Sequence, residues 1–238
     1  MCGGCTDSIG MMVRCGPPIT VINPRRLPNC AISHASGING VVAVSEWQRR
    51  NLLVGLSVPA YVVPHGVHQE RYRCKPDEKD SLLCIYTSSP DRGLALLRRV
   101  WPDVVREVPD AKLVTTYDPP LSESEMDALY RKASLWLHPC TGVELFCISA
   151  VKAQAAGAVP VVIPAMALQD TVRHGVKTDA EGFASEVVAL LKNPQRLAQL
   201  RREALSDNYL SWEAATDLLE TVALPAWLKN KVQKASTS

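Results

Sequence analysis

Residues 142–162 read GVELFCISAVKAQAAGAVPVV. Glu144 stands just ahead of a helix-like run over 146–156, and the small residues Ala155, Ala156 and Gly157 lead that run into AVPVVI (158–163), which is apolar throughout. A strand with no polar face is buried on both sides, as in a parallel sheet covered by helices. The loop ahead of the helix, HPCTGVELFC (138–147), itself follows an apolar strand, SLWLHP (134–139). The unit therefore reads strand, loop, helix, strand.

The same alternation extends outward. SLLCIYTSS (81–89) reads as a strand, RGLALLRRVWPDVVREV (92–108) as a helix with an apolar stripe and AKLVTTY (111–117) as a strand. SESEMDALYRKA (122–133) reads as a helix, with Ser122 or Ser124 as its cap. Downstream, helices are expected at about 166–173, 179–192 and 194–206, and a last amphipathic one from Ser211-Trp212. Upstream, GVVAV (40–44) and AYVVP (60–64) read as short strands. Between them, Ser45 and Gln48 suit a capping box that opens a helix running to about Leu56. Residues 68–80 are polar and read as a linker, and 1–37 show no clean periodicity. The fold class is α/β, a Rossmann-like parallel sheet covered on both faces, preceded by a short N-terminal α/β segment.

The composition is that of an ordinary globular chain: 238 residues, 47% hydrophobic, 21% charged, net charge +2. Basic residues are scattered, so nothing singles out a nucleic-acid partner. No apolar run is long enough to span a bilayer, and the N-terminus has no signal-peptide core, so a cytoplasmic location is expected. Of the eight cysteines, Cys2, Cys5, Cys15 and Cys30, with His34 nearby, form the one metal-like cluster in the sequence. A single Cys-x-x-Cys pair is a weak zinc signal, and a tail of free thiols is the plain alternative.

In such sheets ligands bind at the carboxyl ends of strands, so the loops decide the chemistry. YTSSPDRGL (86–94) offers the hydroxyls of Thr87, Ser88 and Ser89, then Arg92-Gly93 at a helix start. Serine, proline and aspartate there also cap a helix. Arg92 favours a bound phosphate, because a cation at the positive end of a helix needs an anion between them. In the 138–147 loop, Gly142 permits tight backbone geometry, and the amides of Leu145, Phe146 and Cys147 are expected to open the next helix toward a diphosphate. Glu144 is placed to accept hydrogen bonds from sugar hydroxyls, or else to cap the first turn. Lys152, a little over two turns on, can address the same cleft.

With these residues in view, ELFCISAVKAQAAGAVPVV (144–162) resembles the E-x7-E signature of retaining GT-B glycosyltransferases of the family-4 type. SSPDRGLALLRRVWPDVVREVPDAKL resembles the strand–helix–strand of their donor domain. VAVSEWQRRNLL and VVPHGV resemble the end of the acceptor domain and its hinge, and SWEAATDLL the C-terminal crossover helix. The resemblance covers about 40–225. It implies a reduced acceptor-side segment (1–64), a nucleotide-sugar donor-binding domain (65–210) and a crossover helix with tail (211–238). It implies sugar transfer from a UDP- or GDP-type donor to an acceptor it leaves open, with retention and with no metal or other cofactor. Arg92 would neutralise the leaving phosphate, Glu144 would contact the transferred sugar, and the amides of Leu145 to Ile148 would hold the diphosphate. Thr87, Ser88, Ser89, Gly93, Tyr117 and Gly142 would complete the donor pocket. His65 or His34 would stand on the acceptor side, and self-association would complete the cleft.

The chain departs from the pattern in four places. The second acid of the signature is Lys152, which can donate to a ribose hydroxyl but not accept from it. Thr87 stands where many relatives carry another cation. The connection from Tyr117 to Glu125 is short, and few residues precede the hinge. These departures keep open a second expectation, a donor-domain relic that binds nucleotide sugars or proteins without turnover. A third is an adaptor whose zinc sits on the N-terminal cysteines.

Overall fold

The structure is a computed structural model that describes residues 40–228, apart from 57, 76–77 and 118–119. The chain divides into two compact units, one of residues 64–216 and one formed by 40–63 with 217–228 of the described residues.

In the smaller unit, β1 (Val41–Ala43) pairs in parallel with β2 (Ala60–Val62). Between them lies α1 (Glu46–Leu52), where Ser45 caps the helix by accepting from the Gln48 amide at 3.1 Å. The Gln48 side chain reaches back one residue further than a capping box requires, to the Val44 amide at 2.8 Å. The helix stops at Leu52, short of the expected Leu56, because Gly55 at φ 84° turns the chain.

The larger unit is built on a parallel sheet ordered β4-β3-β5-β6-β7. Its strands are β3 (Asp80–Tyr86), β4 (Lys112–Thr115), β5 (Ala133–His138), β6 (Val159–Val162) and β7 (Val176–Lys177). The connecting helices are α2 (Leu94–Glu107), α3 (Glu123–Lys132), α4 (Ile148–Ala155) and α5 (Leu168–Thr171). They are followed by α6 (Phe183–Leu191), α7 (Pro194–Ser206) and α8 (Trp212–Leu218). β7 has only two residues, too few to show a period, and it was not expected from the sequence. Ser122 caps α3 in a complete capping box with Glu125.

Every residue of β5 and β6 is buried. Side chains alternate between the two faces. Cys84, Tyr86, Leu135, Leu137, Val159 and Val161 join a core with Leu97 of α2 and Phe183, Val187 and Leu190 of α6. On the other face, Trp136 and His138 stack with ring centroids 4.8 Å apart. This is the covered parallel α/β sheet expected from the sequence.

The strand order sets the place of the site. From β3 the chain steps to β4 on one side, and from β5 it proceeds to β6 and β7 on the other. The reversal point lies between β3 and β5, where a crevice opens at the carboxyl ends. The loops leaving those two ends are 87–93 and 139–147.

Buried Gln154 locks α4 to the segment after α5. Its amide nitrogen donates to the Ala150 and Thr171 carbonyls at 3.0 and 2.9 Å, and its oxygen accepts from the Arg173 and His174 amides at 2.9 and 3.0 Å. Gln154→Leu keeps the volume but orphans three of those backbone groups. It should lower unfolding free energy by about 3 kcal/mol in urea titrations, whereas exposed Gln199→Leu should change it by under about 0.5 kcal/mol.

Candidate functional site

The first wall of the crevice is the loop after β3. The Tyr86 hydroxyl donates to the Ser89 carbonyl at 2.6 Å, and the Ser89 hydroxyl donates to Asp91 at 2.5 Å. These bonds tighten the turn over Pro90–Arg92. Gly93 follows at φ 103°, and a Cβ there would lie 2.2 Å from the Pro139 carbonyl oxygen. Only glycine permits so close an approach of the two loops. Arg92 is thereby aimed across the crevice. Its Nη1 donates to the Val143 carbonyl at 2.7 Å and to Glu144 Oε2 at 2.9 Å.

The second wall is the loop after β5. The amide of Ala167, beyond β6, donates to the Glu144 carbonyl at 3.1 Å and fixes its backbone. Cys147 adopts φ 68°, unusual for a residue with a side chain, and is the N-cap of α4. The helix therefore opens at Ile148, two residues later than the sequence implies. The amides that begin it are those of Ile148 and Ser149, while Leu145, Phe146 and Cys147 lie in the approach.

Behind Glu144 lies His138, fully buried, its ring stacked on that of Trp136 at 4.8 Å and 6.2 Å from that of Tyr86. Its Nδ1 lies 3.2 Å from the Ser88 hydroxyl. Its Nε2 is 3.7 Å from Glu144 Oε2, too long for a hydrogen bond, and has no hydrogen-bond partner among the described residues. Sequence reasoning missed His138. The available signal was the alternation in LWLH, which puts a histidine at the carboxyl end of a buried strand on the same face as Trp136.

The other sequence-expected residues divide. Ser88 joins the site through His138. The Thr87 hydroxyl turns inward, bonded to the Tyr130 hydroxyl at 2.6 Å and to the Trp136 indole at 2.8 Å, so its contacts are with the core. Tyr117 and Gly142 are exposed in their loops. Lys152 is half-buried on α4, and among the described residues no hydrogen bond or ion pair holds its ammonium group. His65 meets the ring of Phe146 edge-on at 5.2 Å and that of Trp212 at 6.3 Å, and burial lowers its pKa. His34 and the cysteines at 2, 5, 15 and 30 lie outside the described residues.

Burial pushes the Glu144 carboxyl up, but the His138 imidazole and the Arg92 guanidinium outweigh it and hold its pKa below the ordinary value. Burial pushes both neighbouring thiols, Cys140 and Cys147, up. The crevice thus presents a cation, an ionised acceptor and the positive end of a helix. It is suited to a ligand carrying both an anion and hydroxyl groups. The His138, Glu144 and Cys147 donor atoms lie within 4.8 Å of one another and are the group placed to hold a metal ion among the described residues.

No protein-family model matches the sequence, and no curated protein matches it. Solved structures do match. TarM aligns at a TM-score of 0.66 and 17% identity, over 84% of this chain and 44% of its own. The pneumococcal O-GlcNAc transferase GtfA, in complex with UDP and GlcNAc, aligns at 0.66 and 11%, over 84% and 46%. Anabaena HepE, in complex with UDP, aligns at 0.63 and 15%, over 80% and 64%. The fold is that of a GT-B donor domain. The chain spans under half the length of TarM and GtfA and just under two thirds of HepE. No helix of the described residues is long and apolar enough to cross a membrane.

A carboxyl with a lowered pKa contributes stability that is complete above its unfolded value, 4.5 for glutamate, and is lost as pH falls through the lower folded value. Arg92→Gln removes part of that lowering. Below about pH 4.5, urea-unfolding free energy should therefore fall less steeply with falling pH in Arg92→Gln than in the parent chain.

Proposed function

We propose that this chain carries the donor site of a glycosyltransferase, which moves a sugar from a nucleoside-diphosphate sugar to an acceptor. The observation that carries this reading is the convergence of Arg92 and Glu144 across the crevice, beside the start of α4. TarM with UDP, GtfA with UDP and GlcNAc, and HepE with UDP-glucose support a uridine nucleotide over a guanosine one.

In this reading the diphosphate takes the Ile148 and Ser149 amides and the Arg92 guanidinium, where negative charge builds as the glycosidic bond breaks. Arg92 has five N–H donors, so it serves the phosphate without leaving Glu144. Glu144, kept ionised, accepts from hydroxyls of the transferred sugar. The family-4-like sequence pattern supports retention by front-face displacement, in which the leaving phosphate accepts the proton of the acceptor hydroxyl. The Arg92 and amide donors supply charge neutralisation of the kind a metal ion would otherwise provide.

Lys152 favours a second reading, a module that binds nucleotide sugars without turnover. An ammonium group donates but cannot accept, so the ribose contact expected of an acid there is lost. Restoring it should recover the hydrogen bond. Lys152→Glu should tighten binding of UDP-sugars about tenfold, or ~1.4 kcal/mol, in thermal-shift titrations against UDP-, GDP- and ADP-sugars. Binding to the parent chain with sugar release to water or acceptor supports the transferase. Binding with no release, even in Lys152→Glu, supports the module, and no binding in either chain contradicts both.

A further inference from the structure

We propose that His138, Glu144 and Cys147 form a zinc site inside the same crevice, and that zinc there shuts the donor pocket. The regulatory part rests on the donor-site reading; the metal site does not.

The donor set is one imidazole nitrogen, one carboxylate oxygen and one sulfur, within 4.8 Å of one another. Three such ligands with an open fourth position suit a borderline-soft, four-coordinate divalent ion. Two further observations point to a ligand. Among the described residues His138 Nε2 is fully buried without a hydrogen-bond partner, and it faces Glu144 Oε2 at 3.7 Å, close to the separation of two ligands sharing one tetrahedral ion. On the opposite side of the ring, Nδ1 meets the Ser88 hydroxyl at 3.2 Å. A hydrogen bond at the far nitrogen is what fixes the tautomer and orientation of a metal-bound imidazole.

Charge balance makes zinc and Arg92 alternatives. Without metal, Glu144 is neutralised by Arg92 at 2.9 Å. When zinc binds, its bonds form to Nε2, the carboxylate and sulfur, and the thiol proton goes to solvent. The ion, thiolate and carboxylate then sum to zero charge, which a buried site requires. A guanidinium left against them would carry an uncompensated positive charge. Arg92, with 22% of its side chain exposed, turns outward, where Asp91 Oδ2 already lies 3.9 Å away. The anion-binding cation and the sugar-binding carboxylate are withdrawn together.

The test is a cobalt(II) titration of the full chain, read by the near-ultraviolet thiolate-to-cobalt charge-transfer band. A variant with Cys2, Cys5, Cys15 and Cys30 changed to Ser should keep the band at one cobalt per chain. Adding Cys147→Ser should remove it, and adding His138→Gln should weaken cobalt binding at least about tenfold. Circular dichroism without metal confirms that each variant is folded. If Cys147→Ser does not fold, Glu144→Gln, at a half-buried position, should still shift the cobalt ligand-field spectrum. No band in the N-terminal variant, or a band that survives Cys147→Ser, overturns the site. One equivalent of zinc should also raise the apparent UDP dissociation constant about tenfold or more. A band without any UDP binding defeats only the donor reading, and UDP binding without a band defeats only the zinc site.

Discussion

The ion pair between Arg92 and Glu144 ties the crevice together. Arg92 leaves β3, Glu144 leaves β5, and the Glu144 carbonyl is held by Ala167 beyond β6. Three loops from three adjacent strands thus meet at one residue, Glu144. A half-buried ion pair recovers its desolvation cost only when its geometry is good and its remaining donors are used. Arg92 meets both conditions by also donating to the Val143 carbonyl. The pair is therefore a weak source of stability and a strong determinant of loop position.

That geometry depends on the sheet beneath it. The reversal of strand order between β3 and β5 opens the crevice, and the close approach of Gly93 to Pro139 narrows it. Trp136, Tyr86 and Tyr130 fill the floor and are fully buried, so the loops start from a rigid base. Thr87 belongs to that floor, and Ser88, the next residue, belongs to the site.

Much of this was legible in the sequence, for physical reasons. β5 and β6 are apolar throughout because both faces are covered, and that pattern needs no context to read. Arg92 and Glu144 stood out because their charges follow strands and precede helices. Thr87 could not be sorted from Ser88, since residue type does not reveal which hydroxyl turns inward. The two residues of β7 leave no period, and the residue type of Cys147 does not announce the positive φ that delays α4. His138 was hidden for the opposite reason: its strand was plain, but its role comes from Glu144, six residues on across a loop.

Calorimetric titration of the full chain with UDP and, separately, with uridine tests the anion site directly. If Arg92 and the start of α4 form an anion site, UDP binds and uridine binds at least about a hundredfold more weakly, and Arg92→Gln removes most of that difference. Equal binding of UDP and uridine, or a UDP affinity unchanged in Arg92→Gln, would contradict it.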